Sequence, residues 1–211
     1  MTTPAAPTVA AGLVLAAGSA TRFGATKQVA EVDGRPMVAH AVAVAHAAGL
    51  RPVYVVVGHD RGVVAAAARQ AGEVEVVDNP DHAAGQAGSL RRGIEAVAAG
   101  PDVDVVVVLL ADQPGLRPAV VSAVADAAAA APDGIARARY RDGDGHPVGL
   151  GHQVWPRLLD LSGDEGARQL FEGYDVATVS VAEDTPRDVD TPGDLARARS
   201  HQPGGRRPSA Q

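Results

Sequence analysis

The sequence predicts an α/β fold built on a mostly parallel sheet, with a small antiparallel addition. Short, unbroken aliphatic runs alternate along the chain with alanine-rich segments of helical length. This alternation implies a parallel sheet that carries helices on both faces. Aromatic residues make up only 3% of the chain, so the core must be built from Ala, Val and Leu, which favours closely packed layers. At 211 residues the chain can bury one full core.

Four aliphatic runs are the candidate buried strands of this sheet. Unbroken runs of this kind are typical of strands that are covered on both faces. They are Gly12–Ala17, Val53–Val57, Val74–Val77 and Val103–Leu110. Alanine-rich helices are predicted between and after them, over Pro36–Ala48, Gly62–Ala71, Ser89–Ala98 and Pro118–Ala131. The last of these begins on a proline, which is favoured in the first turn of a helix.

The pattern changes after the fourth helix. The stretch "IARARYRDGDGHPVGLG" predicts two strands around a Gly/Asp-rich connection, as an added β-hairpin or an antiparallel edge. Two helices are predicted next, near His152–Leu161 and Asp164–Gly173. "DVATVSV" predicts a further strand. "TPGDLARARS" predicts a final helix with Thr191 as N-cap and Pro192 at its first position.

The sequence predicts the domain organisation, and the net charge and residue composition exclude several classes of function. We expect a flexible leader over residues 1–10, one domain over 11–199 and a flexible tail over 200–211. A net charge of -6 and a pI near 5.6 argue against nucleic-acid binding. The chain has no cysteine, which excludes disulfides, thiolate nucleophiles and zinc–thiolate sites. It also lacks an apolar run of the ~20 residues that a membrane span needs. We therefore expect a cytoplasmic protein with no membrane partner.

The loop after the first strand, "AAGSATRFGATKQ", has the composition of an anion site. Gly18 and Gly24 let the backbone approach an anion closely, while Arg22 and Lys27 add positive charge. The loop is neither a P-loop, which needs Gly-Lys-Ser/Thr, nor a dinucleotide fingerprint. Lys27 is the only lysine among 19 Lys and Arg residues, which suggests that a compact point charge is needed there. A surface loop with incidental basic residues is the alternative.

Two other loops follow predicted strands, at the sheet edge where ligands bind in such folds. In "ADQPGL", Asp112 comes directly after the longest aliphatic run, where a carboxylate suits Mg²⁺ together with phosphate oxygens. An aspartate that caps the turn before Pro114 is the alternative. In "DNPDHAAGQAGSL", Asp78 and Asn79 could hydrogen-bond a nucleobase, and Gly88 and Ser89 would place backbone donors at a helix N-terminus. A simple Asn-Pro turn is the alternative there.

Other catalytic patterns are missing from the chain. It has neither a His-Glu-x-x-His metal motif nor the G-x-S-x-G elbow of serine hydrolases. Most of the seven histidines, such as His40 and His46, are interpreted as structural or surface residues. His146 in "DGHPVGL" and Asp190 in "DVDTPGD" remain as candidates.

Taken in order, these motifs resemble the MobA-like nucleotidyltransferases, and specifically their molybdenum cofactor cytidylyltransferase branch. The resemblance extends from Leu13 to about Leu195, through "LAAGSATRFGATKQ", "NPDHAAGQAGSLRRGI", "LADQPGL", "GHPVGL", "LSGDEGARQLF" and "DVDTPGDL". The first motif alone is shared with sugar-phosphate nucleotidyltransferases, whereas the combination is much more specific. The chain departs from its relatives at "KQVAEVDGRPM", where they usually have a more leucine-rich run.

The resemblance implies a Rossmann-like three-layer α/β/α nucleotidyltransferase fold that uses a nucleoside triphosphate and Mg²⁺. It implies that Arg22 and Lys27 hold the phosphates, and that Asp112 binds Mg²⁺ with Asp190 as a second metal ligand. It implies a nucleotide cradle formed by Leu15, Ala16, Ala17 and Gly18, with Gly88 and Ser89 near the base and ribose. "LAAG", rather than the "LAGG" typical of the guanylyl branch, favours CTP over GTP.

The resemblance also implies an acceptor side, formed by residues that match the later motifs: His146, Asp164 and Arg168. The implied acceptor is phosphorylated molybdopterin, whose phosphate would attack the α-phosphorus of CTP and release pyrophosphate. Such a reaction needs no covalent nucleophile, which agrees with the absence of cysteine. A molybdoenzyme is a further implied partner.

Two other functions stay open at this point. One is an NAD(P)H-dependent oxidoreductase of the nicotine-blue type, on the same fold. The chain lacks the acidic residue that binds the cofactor ribose in dinucleotide sites, which counts against it. The other is a non-catalytic nucleotide-binding partner in the maturation of a molybdoenzyme.

Overall fold

A computed structural model describes residues 8–18, 23–159, 171 and 173–200. Its centre is a seven-stranded sheet. The strands are β1 (Ala10–Ala16), β4 (Val53–Val57), β5 (Glu75–Asp78), β6 (Val105–Leu110), β7 (Ile135–Tyr140), β8 (Gly143–Gly151) and β9 (Ala177–Ser180). Their order across the sheet is β5-β4-β1-β6-β8-β7-β9. β5, β4, β1 and β6 are parallel neighbours, and β8 alone among the seven runs antiparallel to the rest. The predicted α/β class is confirmed.

Helices cover both faces of the sheet, as the alternation of elements predicts. They are α1 (Met37–Ala47), α2 (Arg61–Arg69), α3 (Gln86–Ala98), α4 (Pro118–Ala130), α5 (Trp155–Leu159) and α6 (Pro192–Ser200). A first core lies between the sheet and α1, α2 and α4, and a second core lies between the sheet and α3 and α5. Both cores consist mainly of Ala, Val and Leu. Of the helices in the described ranges, none combines the length and apolarity needed to cross a bilayer.

The hairpin predicted from "IARARYRDGDGHPVGLG" is confirmed as β7 and β8. It does not form the edge of the sheet. β8 inserts between β6 and β7, and β9 occupies the edge position. The register shifts between Arg137 and Ala138, so that the turn end of the hairpin bends away from the regular ladder.

A second, two-stranded sheet was not predicted. It consists of β2 (Glu31–Val32) and β3 (Arg35–Pro36). The two strands are joined by Asp33 and Gly34, whose φ angles are 51° and 73°. Two consecutive positive φ angles match a type I′ turn, and Asp-Gly is a favoured dipeptide for it. The dipeptide in "VDGR" was therefore the signal that would have located this hairpin.

Most predicted boundaries agree with the structure to within two residues. The exception that affects the site is the start of α3. The predicted helix Ser89–Ala98 begins at Gln86. The final helix begins at Pro192, and Thr191 Oγ1 accepts a hydrogen bond from the Asp194 N–H at 3.2 Å, as an N-cap should. The helix predicted near Asp164–Gly173 falls outside the described residues except for Phe171 and Gly173. Residues 1–7 and 201–211, which hold most of the predicted leader and tail, also lie outside the described residues.

Candidate active site

A cleft of about 360 Å³ opens at the carboxyl edge of the sheet, beyond β1 and β6 and beside the start of α3. The chain leaves β1 toward β4 on one side, and β6 lies on the other, so this is the topological switch point where α/β folds bind ligands. The cleft is lined by Leu15, Ala17, Gly18, Lys27, Gln28, His82, Ala83, Gly85, Gln86, Ser89, Leu110, Ala111 and Asp112.

Lys27 is the charged centre of this cleft. Its ammonium nitrogen lies 2.8 Å from Asp112 Oδ2 and 2.7 Å from Asp190 Oδ1. The side chain of Lys27 is only 12% exposed. Burial acts to lower the pKa of the ammonium group, but the two carboxylates outweigh this effect and raise the pKa above its ordinary value. The predicted residues Lys27, Asp112 and Asp190 are thus brought together from three distant parts of the sequence.

Asp190 reaches the cleft because its segment is tied to the loop after β6. The backbone N–H of Val189 donates to the carbonyl oxygen of Asp112 at 3.0 Å, and Val189 itself is buried. Directly after Asp190, Thr191 and Asp194 cap the start of α6, with the Thr191 N–H donating to Asp194 Oδ2 at 2.8 Å. The cap and the backbone bond together hold the Asp190 carboxylate opposite that of Asp112.

A second polar pair, which the sequence interpretation missed, lies behind these carboxylates. Gln113 Nε2 donates to Asp188 Oδ1 at 2.7 Å, and the Gln113 side chain is buried. Burial raises the pKa of the Asp188 carboxyl, and the nearby charges of Asp112 and Asp190 act in the same direction. The signal was present in the motifs themselves, because Gln113 follows Asp112 and Asp188 alternates with Asp190.

His146 lies on the β8 side of the same charged group. Burial lowers the pKa of its imidazole to about 4, and the Asp112 carboxylate opposes the shift. The ring is therefore neutral at pH 7. The backbone carbonyl of His146 accepts a hydrogen bond from the Tyr140 hydroxyl at 2.7 Å, which fixes the start of β8 to the end of β7.

The loop after β1 forms one wall of the cleft. Leu15, Ala17 and Gly18 line it, whereas the side chain of Ala16 points into the first core, so only its backbone is available to a ligand. Gln28 Nε2 donates to the carbonyl oxygen of Gly18 at 2.6 Å and holds the loop in place. Arg22 lies outside the described residues.

The start of α3 differs from the prediction. Because α3 begins at Gln86, Gly88 is its third residue and its backbone N–H still belongs to the free N-terminal donors, whereas Ser89 is its fourth residue. Gly85 sets the start of the helix with φ 112° and ψ 174°, a conformation that side chains rarely allow. Both Gly85 and Gln86 line the cleft.

Of the other residues predicted in this loop, one lines the cleft and the others do not. Ser89 lines the cleft, and its hydroxyl accepts a hydrogen bond from Asn79 Nδ2 at 3.0 Å. Gly88 and Asp78 are not among the lining residues of the described chain. Asp78 instead forms an exposed ion pair with Arg61 at 2.7 Å.

His82 is a lining residue that sequence reasoning missed. It belongs to a short 3₁₀ helix, His82–Ala84, and its ring packs against the backbone of Gly58. A Cβ atom at Gly58 would lie 2.6 Å from the His82 ring, so a side chain there would displace the imidazole. Gly58 follows β4 in "VGHDRG", and its position directly after a strand was the available signal.

The donor set fits a divalent metal that arrives with phosphate. Within the described ranges, no group of three or more His, Cys, Asp or Glu side chains is arranged to hold a metal ion. Asp112 and Asp190 do converge on one ammonium group, so their carboxylates already face a shared cation position. Mg²⁺ is commonly bound by one or two carboxylates that are completed by waters and substrate phosphates. The residues present therefore match a metal–nucleotide complex better than a metal bound by protein alone.

Comparison with known proteins places this geometry among nucleotidyltransferases. The model of the MobA-like NTP transferase domain matches residues 12–181. A 3-deoxy-manno-octulosonate cytidylyltransferase of Methylorubrum populi is 36% identical over 111 residues, 53% of this chain and 43% of that protein. A phosphoenolpyruvate guanylyltransferase of Sanguibacter keddieii is 33% identical over 140 residues, 63% of this chain and 48% of that protein. The chain thus spans less than half the length of these curated relatives.

A solved structure covers more of the chain. The crystal structure of Rv0371c from Mycobacterium tuberculosis H37Rv is 31% identical and superposes with a TM-score of 0.79, over 93% of this chain and 100% of that one. A crystal structure of the same protein in complex with manganese gives a TM-score of 0.76 at 30% identity, over 92% and 100% of the two chains.

Proposed function

The chain belongs to the MobA-like NTP transferase family, and we propose that it transfers a nucleoside monophosphate from a nucleoside triphosphate to a phosphorylated small-molecule acceptor, with release of pyrophosphate. The observation that carries the proposal is the position of Lys27. Its ammonium group lies between two carboxylates at the mouth of a cleft that has the size of a nucleotide site. Such a site can bind both a divalent cation and phosphate oxygens.

Asp112 and Asp190 would hold the divalent cation, for which we propose Mg²⁺. The metal would supply charge neutralisation on the phosphates while negative charge builds on the leaving pyrophosphate. The manganese complex of the M. tuberculosis relative supports a divalent ion in this fold family. In this chain the carboxylates are presented by the loop after β6 and by the segment before α6, which the Val189 backbone bond keeps together.

Lys27 would bind the triphosphate as a compact cation. Its ammonium group is already desolvated and charged, so it needs little rearrangement to exchange a carboxylate partner for a phosphate oxygen. The Gly18 loop would approach the phosphates with its backbone, since it lines the cleft beside Lys27. We propose Arg22, in the same loop, as a second phosphate ligand.

The remaining lining residues divide the cleft into a charged end and a polar, uncharged end. Gly85, Gln86 and Ser89 stand at the start of α3, where backbone and side-chain groups can contact the ribose and base. Asp78 and Gly88 would act only through a shift of this loop on binding. Asp164, Arg168 and the neutral ring of His146 are proposed on the acceptor side.

We propose CTP as the nucleotide and molybdopterin as the acceptor. The "LAAG" motif favours CTP, and a cytidylyltransferase among the relatives supports the same base. A guanylyltransferase among the relatives keeps GTP as the competing nucleotide. The acceptor rests on the match of the later motifs with the molybdenum cofactor branch, and a molybdoenzyme that receives the product is the corresponding partner.

A thermal-shift panel of CTP, GTP, ATP and NADPH, each with and without Mg²⁺, tests the nucleotide side. We expect the largest stabilisation with CTP, and only in the presence of the metal. Pyrophosphate release from CTP with phosphorylated molybdopterin then tests the reaction, and we expect it to be lost in Lys27→Ala and Asp112→Ala. NADPH oxidation without pyrophosphate release would favour an oxidoreductase. Nucleotide binding without turnover of any phosphorylated acceptor would favour a non-catalytic carrier.

A further inference from the structure

Two arginines of β7 lie on the same face of the sheet as the cleft. Along this strand, Ala136 and Ala138 pack in the first core, whereas Ile135 packs in the second core beneath α3 and α5. Successive side chains of a strand point to opposite faces. Arg137 and Arg139 therefore share the face of Ile135, which is also the face on which the nucleotide cleft opens.

The register of the sheet places Arg137 two strands from β6, whose carboxyl end lines the cleft. Arg137 pairs with Val148 of β8, and Val148 pairs with Val108 of β6. Val108 lies two residues before Leu110, which lines the cleft. Two strand spacings, or about 10 Å, separate Arg137 from β6 across the sheet, which is within the reach of a small bound molecule.

The guanidinium group of Arg137 is held in a partly completed site. Its Nη2 atom lies 2.6 Å from Asp144 Oδ2, and its central carbon lies 5.3 Å from the centre of the Phe171 ring. The side chain is only 23% exposed. Its Nε atom is buried and has no hydrogen-bond partner in the described part of the chain. A buried donor of a charged group without an acceptor is costly, so the protein leaves this guanidinium group with unmet hydrogen-bonding capacity.

Arg139 completes a pair of cations with one shared carboxylate. Its Nε atom lies 2.7 Å from Asp144 Oδ1, so one aspartate balances two arginines and leaves a net positive charge. Asp144 belongs to the start of β8, two residues before His146, which faces the Asp112 carboxylate. The arginine pair is thus connected through the first residues of β8 to the metal-binding side of the cleft.

We propose that Arg137, assisted by Arg139, binds a phosphate monoester group of the acceptor. The inference rests on the proposed function, because it supplies the second anion that such a transfer brings to the cleft. A guanidinium group can contact two phosphate oxygens at once, which fixes the orientation as well as the position of a phosphate. The ring of Phe171 stacks on one face of the guanidinium group and limits its rotation.

An ordinary structural ion pair makes the opposite prediction for one variant. If Asp144 serves only to neutralise the arginines, Asp144→Asn weakens the fold and changes no ligand binding. If the arginines bind an anion, Asp144→Asn removes a competing carboxylate and tightens the binding of phosphate. The sign of this effect separates the two roles.

Isothermal titration with phenyl phosphate tests the site. The nucleotide cleft is first saturated with Mg²⁺ and the α,β-methylene analogue of the nucleotide that stabilises the protein most, so that the probe cannot bind there. The variants are Arg137→Met, Arg137→Lys and Asp144→Asn. Arg92→Met is the matched control, since it removes one arginine from an exposed ion pair with Glu95 on α3.

We expect one saturable phosphate site that is about 10- to 100-fold weaker in Arg137→Met, less affected in Arg137→Lys, and several-fold tighter in Asp144→Asn. Benzoate should bind more weakly than phenyl phosphate, whereas tighter benzoate binding would overturn the phosphate assignment in favour of a carboxylate. The proposal is also wrong if phenyl phosphate binds equally to the parent, to Arg137→Lys and to Arg137→Met. It is wrong, too, if Arg92→Met weakens the binding of phenyl phosphate as much as Arg137→Met does. A protein that binds nucleotide but no phenyl phosphate would contradict this site and leave the nucleotidyltransferase proposal intact. Failure to bind any nucleotide would instead contradict the proposed function.

Discussion

The two halves of the sheet differ in how their functional residues reach the cleft. In the half formed by β5, β4, β1 and β6, the loops that line the cleft directly follow the parallel strands β5, β1 and β6, so strand order alone brings these loops together. In the half formed by β8, β7 and β9, the contributing side chains come from a hairpin inserted next to β6 and from the segment before α6. The functional residues of the first half can therefore be predicted from local sequence. The positions of those in the second half depend on how distant strands pair.

The halves also differ in charge. The half with β5, β4, β1 and β6, called the nucleotide half because we propose that it binds the nucleotide, contributes mainly small or uncharged groups to the cleft, with Lys27 and Asp112 at its border. The half with β8, β7 and β9, called the acceptor half because we propose that it binds the acceptor, carries mutually paired charges, such as those of Arg137, Arg139 and Asp144. A loop after a parallel strand offers backbone donors, which suit the phosphates that all nucleotides share. Paired side chains can instead differ in type and position to suit a particular acceptor. This contrast makes different predictions for variants in the two halves.

The largest effect is expected at the border between the halves, at Lys27. Lys27→Met removes the cation that both Asp112 and Asp190 contact, and should lower kcat by a factor on the order of 10² to 10³, since one preformed charge contact is typically worth this much. Lys27→Arg should also lose activity, because a planar guanidinium group cannot replace a point charge held between two carboxylates. Steady-state pyrophosphate release measures both variants. Full activity in Lys27→Arg would show that the sole lysine is a coincidence of composition.

The next effect concerns Gln113 and Asp188, which lie behind the carboxylates that we propose bind the metal. Gln113→Leu removes the donor to Asp188 and should weaken the binding of the metal–nucleotide complex by about 10-fold or more, as the loss of outer-shell partners commonly does. Asp188→Asn keeps an acceptor oxygen for Gln113 and should have a smaller effect. Titration of Mg²⁺ at fixed nucleotide, followed by thermal shift, measures both. Equal losses in the two variants would mean that the charge of Asp188 matters more than its hydrogen bond.

The residues in these two predictions differ in whether the sequence alone could identify them. Lys27 and Asp112 were found because each follows a strand or a glycine loop, and Asp190 through its motif. Gln113 and Asp188 lie in the same motifs as Asp112 and Asp190, but their pairing was missed, since a hydrogen bond across 75 positions leaves no local pattern. Helix α3 was placed too late, because Gly85 was not recognised as its start. The Asp-Gly hairpin had a local signal that was not used, so that error was avoidable.

A smaller effect is expected from packing in the nucleotide half. Gly93 lies in α3 against β1, and a Cβ atom there would lie 2.5 Å from Leu13 Cδ1 in the second core. Gly93→Ala should therefore lower the free energy of unfolding by about 1–3 kcal/mol through overpacking. Gly62→Ala in α2 is the matched control, because nothing lies within 4 Å of its new methyl group and alanine favours helix. Urea unfolding compares the two. A Gly93→Ala variant as stable as Gly62→Ala would mean that α3 can move away from β1 at no cost.

The smallest effect concerns pH and belongs to the acceptor half. Burial raises the pKa of Tyr140 to about 12, and its hydroxyl donates to the backbone carbonyl oxygen of His146 in β8. The folded protein therefore keeps this proton at pH values where the unfolded chain has lost it. The associated stability is complete below pH 10 and is lost as pH rises toward 12. At pH 11 the loss should be on the order of 1 kcal/mol, since one pKa unit corresponds to roughly that free energy.

Unfolding by urea at pH 9, 10 and 11 measures this loss. Tyr140→Phe should reduce the slope of the free energy of unfolding against pH. Tyr54, whose pKa burial also raises, contributes to the same slope, so the variant should flatten the curve without abolishing it. Gly62→Ala leaves every tyrosine in place and should show the parent slope. An unchanged slope in Tyr140→Phe would mean that the Tyr140 hydroxyl ionises as easily in the folded protein as in the unfolded chain. The hairpin would then be open to water, and the burial of Tyr140 in the first core would have to be revised.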